Sequence, residues 1–194
     1  MPKQQKTIVY GGAFNPPTIA HHAIIQACVN HARTIDAEVW ILPSGNRTDK
    51  IINAEERQRI GYIEALIKDL DTQGVDVRID TTELTREVMV ETYDTVLEFQ
   101  ERYPNREFIW VFGADSTQTM RQWKEGAWLM QHINMLLLQR TGSTIHPDVQ
   151  NFTTLTIPMM NVSSTELRRR LANGEEYRDL VTTSVHTMLQ RQHR

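Results

Sequence analysis

Residues 9–21 read Val-Tyr-Gly-Gly-Ala-Phe-Asn-Pro-Pro-Thr-Ile-Ala-His, and this stretch decides the fold. A run rich in β-branched residues at positions 7–10 predicts a strand, two glycines end it, and an apolar helical pattern follows the two prolines. A strand, a glycine turn and a helix start form the first unit of a nucleotide-binding α/β fold, where backbone amides and the helix N-terminus meet phosphate. The spacing fits neither the dinucleotide-binding fingerprint nor the P-loop.

Two polar residues lie on the first turn of this predicted helix, three positions apart. Thr18 and His21 therefore lie on one helix face, and both side chains point back toward the glycine turn. There they can bind the phosphates of a nucleoside triphosphate. His22 points about 100° away from this face and is interpreted as a bystander.

The rest of the chain alternates short β-rich runs with helical patterns, which is typical of a parallel sheet with helices on both faces. The predicted strands are residues 7–10, 38–42, 75–79, 108–112, 135–138 and 153–157, and the predicted helices are residues 19–33, 54–70 and 90–103. A helical C-terminal part begins at about Ser164. The predicted fold class is therefore α/β, a Rossmann-like doubly wound parallel sheet, with residues 1–194 forming a single domain.

Composition excludes several classes of protein. Of the 194 residues, 40% are hydrophobic and 23% are charged, and the net charge of −3 argues against a surface that coats nucleic acid. The single cysteine, Cys28, falls in an apolar helical pattern and is predicted to be a buried thiol. The polar N-terminus does not resemble a signal peptide, and no apolar run approaches the ~20 residues of a membrane span. We therefore expect a cytoplasmic protein without nucleic-acid or membrane partners.

Polar clusters follow the predicted strands at their carboxyl ends, which meet at one edge of a parallel sheet and bind ligands there. These clusters are residues 11–21, 44–50, 113–116, 140–142 and 163–165. In the last of them, three hydroxyls begin an apolar helical pattern. One hydroxyl would cap that helix, but three hydroxyls with free helix amides make a cradle for an anion, and Arg168 adds a positive charge one turn later.

Two of these blocks resemble the signatures of a known superfamily. The block from Gly11 to His21 is similar to the first signature of the nucleotidyltransferases that carry the Thr/His-x-Gly-His motif, with Ala20 in place of the glycine. Residues 162–168, Val-Ser-Ser-Thr-Glu-Leu-Arg, resemble the second signature, Ile-Ser-Ser-Thr-x-x-Arg. Within the superfamily, nearly the whole chain looks most like the nicotinate- and nicotinamide-mononucleotide adenylyltransferases.

The resemblance implies a role for each matching residue. The residues that would make catalytic contacts are Thr18, His21, Lys50 and Arg168. Those that would bind ATP are Gly11, Gly12, Ala13, Phe14, Asn15, Gly113, Asp115, Ser163, Ser164 and Thr165. Those that would bind the acceptor are Thr92, Trp123 and Arg140.

Some assignments stay open. The tripeptide Pro-Pro-His that usually precedes the motif lysine is absent, so Arg47 is an alternative to Lys50. Arg59 is either a motif arginine or a surface charge of its helix, and Trp128 is either part of the core or a wall of the pocket.

The resemblance implies adenylyl transfer from ATP to nicotinate mononucleotide, giving deamido-NAD and pyrophosphate. Because the phosphate of the acceptor is the nucleophile, the protein needs no nucleophilic side chain and no general base. His21 would donate a hydrogen bond to phosphate, and protonation of its ring would strengthen that bond. We expect Mg²⁺ to be held mainly by the ATP phosphates and water, with no metal site made by the protein.

Other functions remain open from the sequence. The sequence Asn-Pro-x-Thr at residues 15–18 is closer to that of relatives specific for nicotinamide mononucleotide, so this nucleotide is an alternative acceptor. Phosphopantetheine is a more distant alternative. Ala20 and the missing Pro-Pro-His leave open a nucleotide-binding regulatory module without turnover. The oligomeric state is open as well, a homo-oligomer included.

Overall fold

The computed structural model describes residues 4–46, 55–86, 88–89, 91–158 and 160–192. Within these ranges the strands are β1 (Gln5–Gly12), β2 (Ala37–Pro43), β3 (Val77–Ile79), β4 (Arg106–Gly113), β5 (Asn134–Gln139) and β6 (Phe152–Thr156). All neighbouring strands pair in parallel, in the order β3-β2-β1-β4-β5-β6.

The helices of the described part of the chain are α1 (Ile19–Ile35), α2 (Glu56–Lys68), α3 (Thr92–Arg102), α4 (Gly126–His132), α5 (Ser164–Asn173) and α6 (Thr183–Gln192). Short 3-10 turns span Ala114–Gln118, Met120–Gln122 and Arg178–Leu180. No helix in these ranges combines the length and the apolarity that crossing a bilayer requires.

Helices cover both faces of the sheet, and the strand residues alternate between two cores. Ile8 packs with residues of α1, α2, α5 and α6, whereas its neighbour Val9 packs with α3 and α4. This alternation follows from the two-residue period of a strand. The Rossmann-like doubly wound fold is confirmed, and Cys28 is buried as predicted, with burial raising the pKa of its thiol to about 12.

Helix α4 was missed by the sequence patterns, and its start explains why. Glu125 adopts a left-handed conformation with φ of 49°. The next residue, Gly126, lies so close to the preceding turn that a Cβ would come within 1.8 Å of the carbonyl oxygen of Met120. Close backbone packing of this kind depends on the tertiary structure, and its only sign in the sequence is a glycine.

The order of the strands in the sheet determines where a ligand-binding crevice lies. From β1 the chain crosses to β2 on one side, and β4 later pairs with β1 on the other side. Such a reversal opens a crevice beyond the carboxyl ends of the two central strands, where open α/β sheets bind ligands. The glycine turn at the end of β1 lies at this point.

Candidate active site

A pocket of about 530 Å³ opens at the carboxyl ends of the central strands. It gathers seven of the residues assigned to ligands from the sequence, which come from five separate parts of the chain: Gly11, Gly12, Ala13, Thr92, Gly113, Trp123 and Arg140. The methyl group of Ala20 lines the same pocket from the first turn of α1. The fold therefore brings the glycine turn and the predicted acceptor contacts together, whereas the residues predicted to bind phosphate do not line this pocket: Thr18, His21, Ser163, Ser164, Thr165 and Arg168.

The glycine turn is shaped by the aromatic residue that follows it. Phe14 is fully buried, and its backbone is left-handed with φ of 45°. A Cβ on Gly12 would lie 3.0 Å from the Phe14 ring, so any larger residue there would require the buried ring to shift. The ring also packs edge-on against Tyr10 and lies 5.2 Å from the ring of His21. Any contact between Phe14 and ATP would therefore involve its backbone.

Thr18 fixes the ring of His21. The backbone N–H of Thr18 donates to Nδ1 of His21 at 3.1 Å, and the Thr18 hydroxyl lies 3.0 Å from the same nitrogen. An imidazole nitrogen that accepts a backbone N–H carries no proton, so the ring proton is on Nε2. His21 is thus arranged to donate from Nε2. His22 points elsewhere, with Nε2 2.9 Å from the carbonyl oxygen of Asp69.

Helix α5 is tied to the turn that leads into α1. Ser163 caps the helix by accepting from the Glu166 backbone N–H at 3.2 Å. Ser164 donates to the Pro16 carbonyl at 2.8 Å, and Arg168 donates to the Asn15 carbonyl at 2.6 Å. The second nitrogen of Arg168 lies 3.3 Å from the Thr165 hydroxyl. Two motifs about 150 residues apart in sequence therefore meet at one turn.

The other side of the pocket is aromatic. Trp123 is half-buried and packs edge-on against Phe112, with ring centroids 5.8 Å apart. Arg140 faces Asp115 at 3.5 Å, and both side chains are about half exposed. Trp128 does not line this pocket; it packs against Tyr93 and stacks on His132.

Two charged residues are buried here, of which the sequence left Arg59 open and did not identify Glu83. Arg59, left open as a motif residue or a surface charge, is only 2% exposed and donates to the carbonyls of Ala13 and Ser44 at 2.8 and 2.6 Å. Burial lowers the pKa of the Arg59 guanidinium, while the charges of Glu56 and Glu83 oppose this shift. Glu83, which carried no sequence signal, is 8% exposed and lines the pocket. The contacts of both residues are with backbone groups that are distant in sequence and come close only in the folded chain.

Two candidate residues of the phosphate site are not among the described residues. Lys50 and its alternative Arg47 lie outside them, so their positions relative to the pocket stay predictions. Among the residues that are described, no group of three or more His, Cys, Asp or Glu side chains is placed to hold a metal ion.

Comparison with known proteins gives related sequences and a related fold. The family model described as cytidylyltransferase-like matches residues 9–170. A protein of Exiguobacterium sibiricum named as a probable nicotinate-nucleotide adenylyltransferase is 30% identical over 93% of both chains. One of the same name from Acholeplasma laidlawii is 34% identical over 84% of this chain and 85% of its own. The solved nicotinic acid mononucleotide adenylyltransferase of Plasmodium falciparum, complexed with NaAD, shares the fold with a TM-score of 0.80 at 20% identity, covering 97% and 96% of the two chains.

Proposed function

Since this chain belongs to the cytidylyltransferase-like family, we propose that it transfers the adenylyl group of ATP to nicotinate mononucleotide, giving deamido-NAD and pyrophosphate in NAD biosynthesis. The observation that carries this proposal is the meeting of the glycine turn, the start of α1 and the start of α5 at one turn beside the pocket. The names of the two curated relatives support nicotinate as the acceptor.

The reaction is a displacement at the α-phosphorus of ATP. An oxygen of the acceptor phosphate forms the new bond to the α-phosphorus, and the bond from that phosphorus to the oxygen bridging the α- and β-phosphates breaks. Pyrophosphate leaves with that bond's electron pair. Because the acceptor phosphate is already ionised, the protein's task is to align the two phosphates and to stabilise the charge that develops.

The start of α1 and the start of α5 supply the donors for this charge. Thr18 is buried and holds Nδ1 of His21, which leaves the ring to donate from Nε2 to the triphosphate. Arg168 would exchange its bond to the Asn15 carbonyl for the ATP phosphates, a stronger pairing between opposite charges. Ser163, Ser164 and Thr165 complete the phosphate site, and Lys50 adds a positive charge from the other side.

Substrates fill the rest of the pocket. ATP enters as its Mg²⁺ complex, in which phosphates and water hold the ion. Gly113 allows the nucleotide to approach the backbone at the end of β4, and Asp115 accepts a hydrogen bond from its ribose or adenine. Thr92 and Trp123 contact the pyridine ring of the acceptor, and Arg140 contributes a positive charge nearby.

The test is release of pyrophosphate from Mg–ATP with nicotinate mononucleotide, nicotinamide mononucleotide and phosphopantetheine in parallel. We expect turnover with nicotinate mononucleotide, and the highest kcat/KM of the three. A higher kcat/KM with either other acceptor would reassign the substrate. No pyrophosphate from any acceptor, in a folded protein that binds Mg–ATP, would reassign the chain to a regulatory nucleotide-binding module.

A further inference from the structure

Arg59 and Glu83 carry opposite charges and are buried at opposite ends of one peptide group. Nη2 of Arg59 donates to the Ser44 carbonyl at 2.6 Å, and Oε2 of Glu83 accepts from the Gly45 backbone N–H at 3.4 Å. The Ser44 carbonyl and the Gly45 N–H belong to the same peptide unit. The positive charge therefore lies at the negative end of the peptide dipole and the negative charge at its positive end, an arrangement that favours this orientation of the peptide.

Each of the two charges also contacts a different side of the pocket. Nε of Arg59 donates to the Ala13 carbonyl at 2.8 Å, within the glycine turn proposed to hold ATP. Oε1 of Glu83 accepts from the Thr95 hydroxyl at 2.9 Å, one turn along α3 from Thr92. A continuous chain of hydrogen bonds thus connects the nucleotide turn with the helix that carries a proposed acceptor contact.

The contacts made by Arg59 favour phosphate binding in a second way. The carbonyl oxygens of Ala13 and Ser44 carry partial negative charge, which would repel a triphosphate. Arg59 binds both oxygens and holds them on its own side of the turn. Because a trans peptide points its N–H away from its carbonyl, the N–H of Phe14 faces the opposite side.

A gain in the stability of the fold does not by itself explain why two charged side chains are buried here. Moving two charged groups out of water costs free energy that offsets much of their mutual attraction. Apolar side chains of similar size therefore often stabilise a core equally well. A buried pair that spans two substrate sites instead provides fixed geometry. A guanidinium can donate to two carbonyls at once, which the single ammonium group of lysine does poorly.

We propose that Arg59 and Glu83 act together as a positioning pair, which sets the distance between the turn that binds ATP and the helix that binds the acceptor. This proposal rests on the proposed function and extends it to Arg59, whose role the sequence left open, and to Glu83, which carried no sequence signal. Neither side chain takes part in bond making. Both act through the Ala13, Ser44–Gly45 and Thr95 groups that they hold.

The variants to compare are Arg59→Ala, Arg59→Lys, Glu83→Gln and the Arg59→Ala/Glu83→Gln double variant. Arg57→Ala is the matched control, because Arg57 lies on the same helix and is exposed. We expect kcat of Arg59→Ala to fall about 10²-fold, the scale of a misplaced reacting group. Its Kd for Mg–ATP should rise about tenfold, the scale of one lost hydrogen bond. Lysine at position 59 should recover little of either, and added guanidinium should restore part of the kcat of Arg59→Ala.

The double variant decides whether the two residues act as one unit. A kcat no lower than that of the worse single variant supports the pair, whereas losses that multiply would overturn it. Thermal unfolding measures the folded fraction of every variant. A lowered Tm with unchanged kcat per folded molecule and unchanged Kd would reduce the pair to a structural role. If Arg59→Ala does not fold, Arg59→Lys and Glu83→Gln carry the same comparison.

Failure of the proposed function would give results that differ from failure of the positioning pair. In that case the wild-type protein would release no pyrophosphate with any acceptor, and the pair would be judged by Mg–ATP affinity alone. Weakened binding in Arg59→Lys and Glu83→Gln, absent from Arg57→Ala, would still support the positioning role. Unchanged affinity in both would overturn it.

Discussion

Nδ1 of His21 accepts a hydrogen bond from the Thr18 backbone, and this bond decides which nitrogen of the ring can donate. At the scale of single residues, the sequence predicted that Thr18 and His21 share a helix face, because that follows from helical periodicity. It could not predict the tautomer, which depends on the extended backbone of Thr18 at the helix start, with φ of −117° and ψ of 175°. The structure thereby assigns the acceptor role to Nδ1 and the donor role to Nε2.

Replacing His21 by alanine removes this donor from the developing charge on the triphosphate. We expect His21→Ala to lower kcat for pyrophosphate release about 10²-fold, the usual effect of losing one transition-state donor. His31→Ala is the matched control, because His31 lies on the same helix, ten residues further along the chain. Full activity of His21→Ala in a protein that unfolds like the wild type would remove His21 from the site.

At the scale of elements, α5 completes the phosphate site by docking on the turn before α1. The contact is polar: Ser164 donates to the Pro16 carbonyl, and Arg168 donates to the Asn15 carbonyl. Arg169, one residue further along, faces away from the turn and pairs with Glu166 and Glu175. Neighbouring arginines on one helix therefore have different roles, and the helical repeat of 3.6 residues explains the difference.

This division gives a paired prediction for α5. We expect Arg168→Ala to lower kcat/KM for Mg–ATP about 10²-fold, since it removes a charged donor to the phosphates. Arg169→Ala, which removes an exposed surface charge, should leave kcat/KM unchanged. Steady-state pyrophosphate release measures both. Equal losses in the two variants would mean that the general positive charge of α5, and not a specific contact of Arg168, supports ATP binding.

The sequence predicted most elements but not every contact that builds the site. All six strands were found: β2 and β5 are buried apolar runs bounded by turn residues, whereas the less buried β3 and β6 are short runs rich in β-branched residues. Helix α4 was missed because it is short and begins at a turn that only tertiary packing explains. Arg59 stayed ambiguous for a related reason: its burial depends on carbonyls 15 and 46 residues away in sequence. The single-domain organisation of residues 1–194 stays a prediction.

At the scale of the whole molecule, the two ends of the sheet have different tasks. The carboxyl ends of the strands form the pocket, and the amino ends carry an ion-pair cluster around Glu38. Glu38 accepts hydrogen bonds from Nε1 of Trp40 and from Arg106, each at 2.9 Å, and Arg78 lies 3.4 Å away. Arg106 also donates to the Thr7 hydroxyl, so this cluster joins strands β1 to β4 far from the pocket.

The separation of the two ends predicts a variant that changes stability and spares activity. Burial alone would raise the pKa of Glu38, but the hydrogen bonds from Trp40 and Arg106 and the charges of Arg106 and Arg78 hold it below its ordinary value. A carboxylate with a lowered pKa in the folded state stabilises the fold fully above its unfolded pKa, about 4.3 for glutamate, and loses this contribution as the pH falls through its folded value.

We expect Glu38→Gln to lower the free energy of unfolding by about 1–2 kcal/mol at neutral pH, because a charged acceptor is lost from a largely buried cluster. The difference from the wild type should begin to shrink as the pH falls below the unfolded pKa of glutamate, about 4.3, and should shrink further as the folded Glu38 carboxyl takes up its proton. Urea unfolding at a series of pH values measures this, with Glu64→Gln on the exposed face of α2 as the control. The kcat per folded molecule should stay at the wild-type value, since Glu38 lies at the amino end of its strand. A loss of kcat in Glu38→Gln would mean that the two ends of the sheet are mechanically coupled.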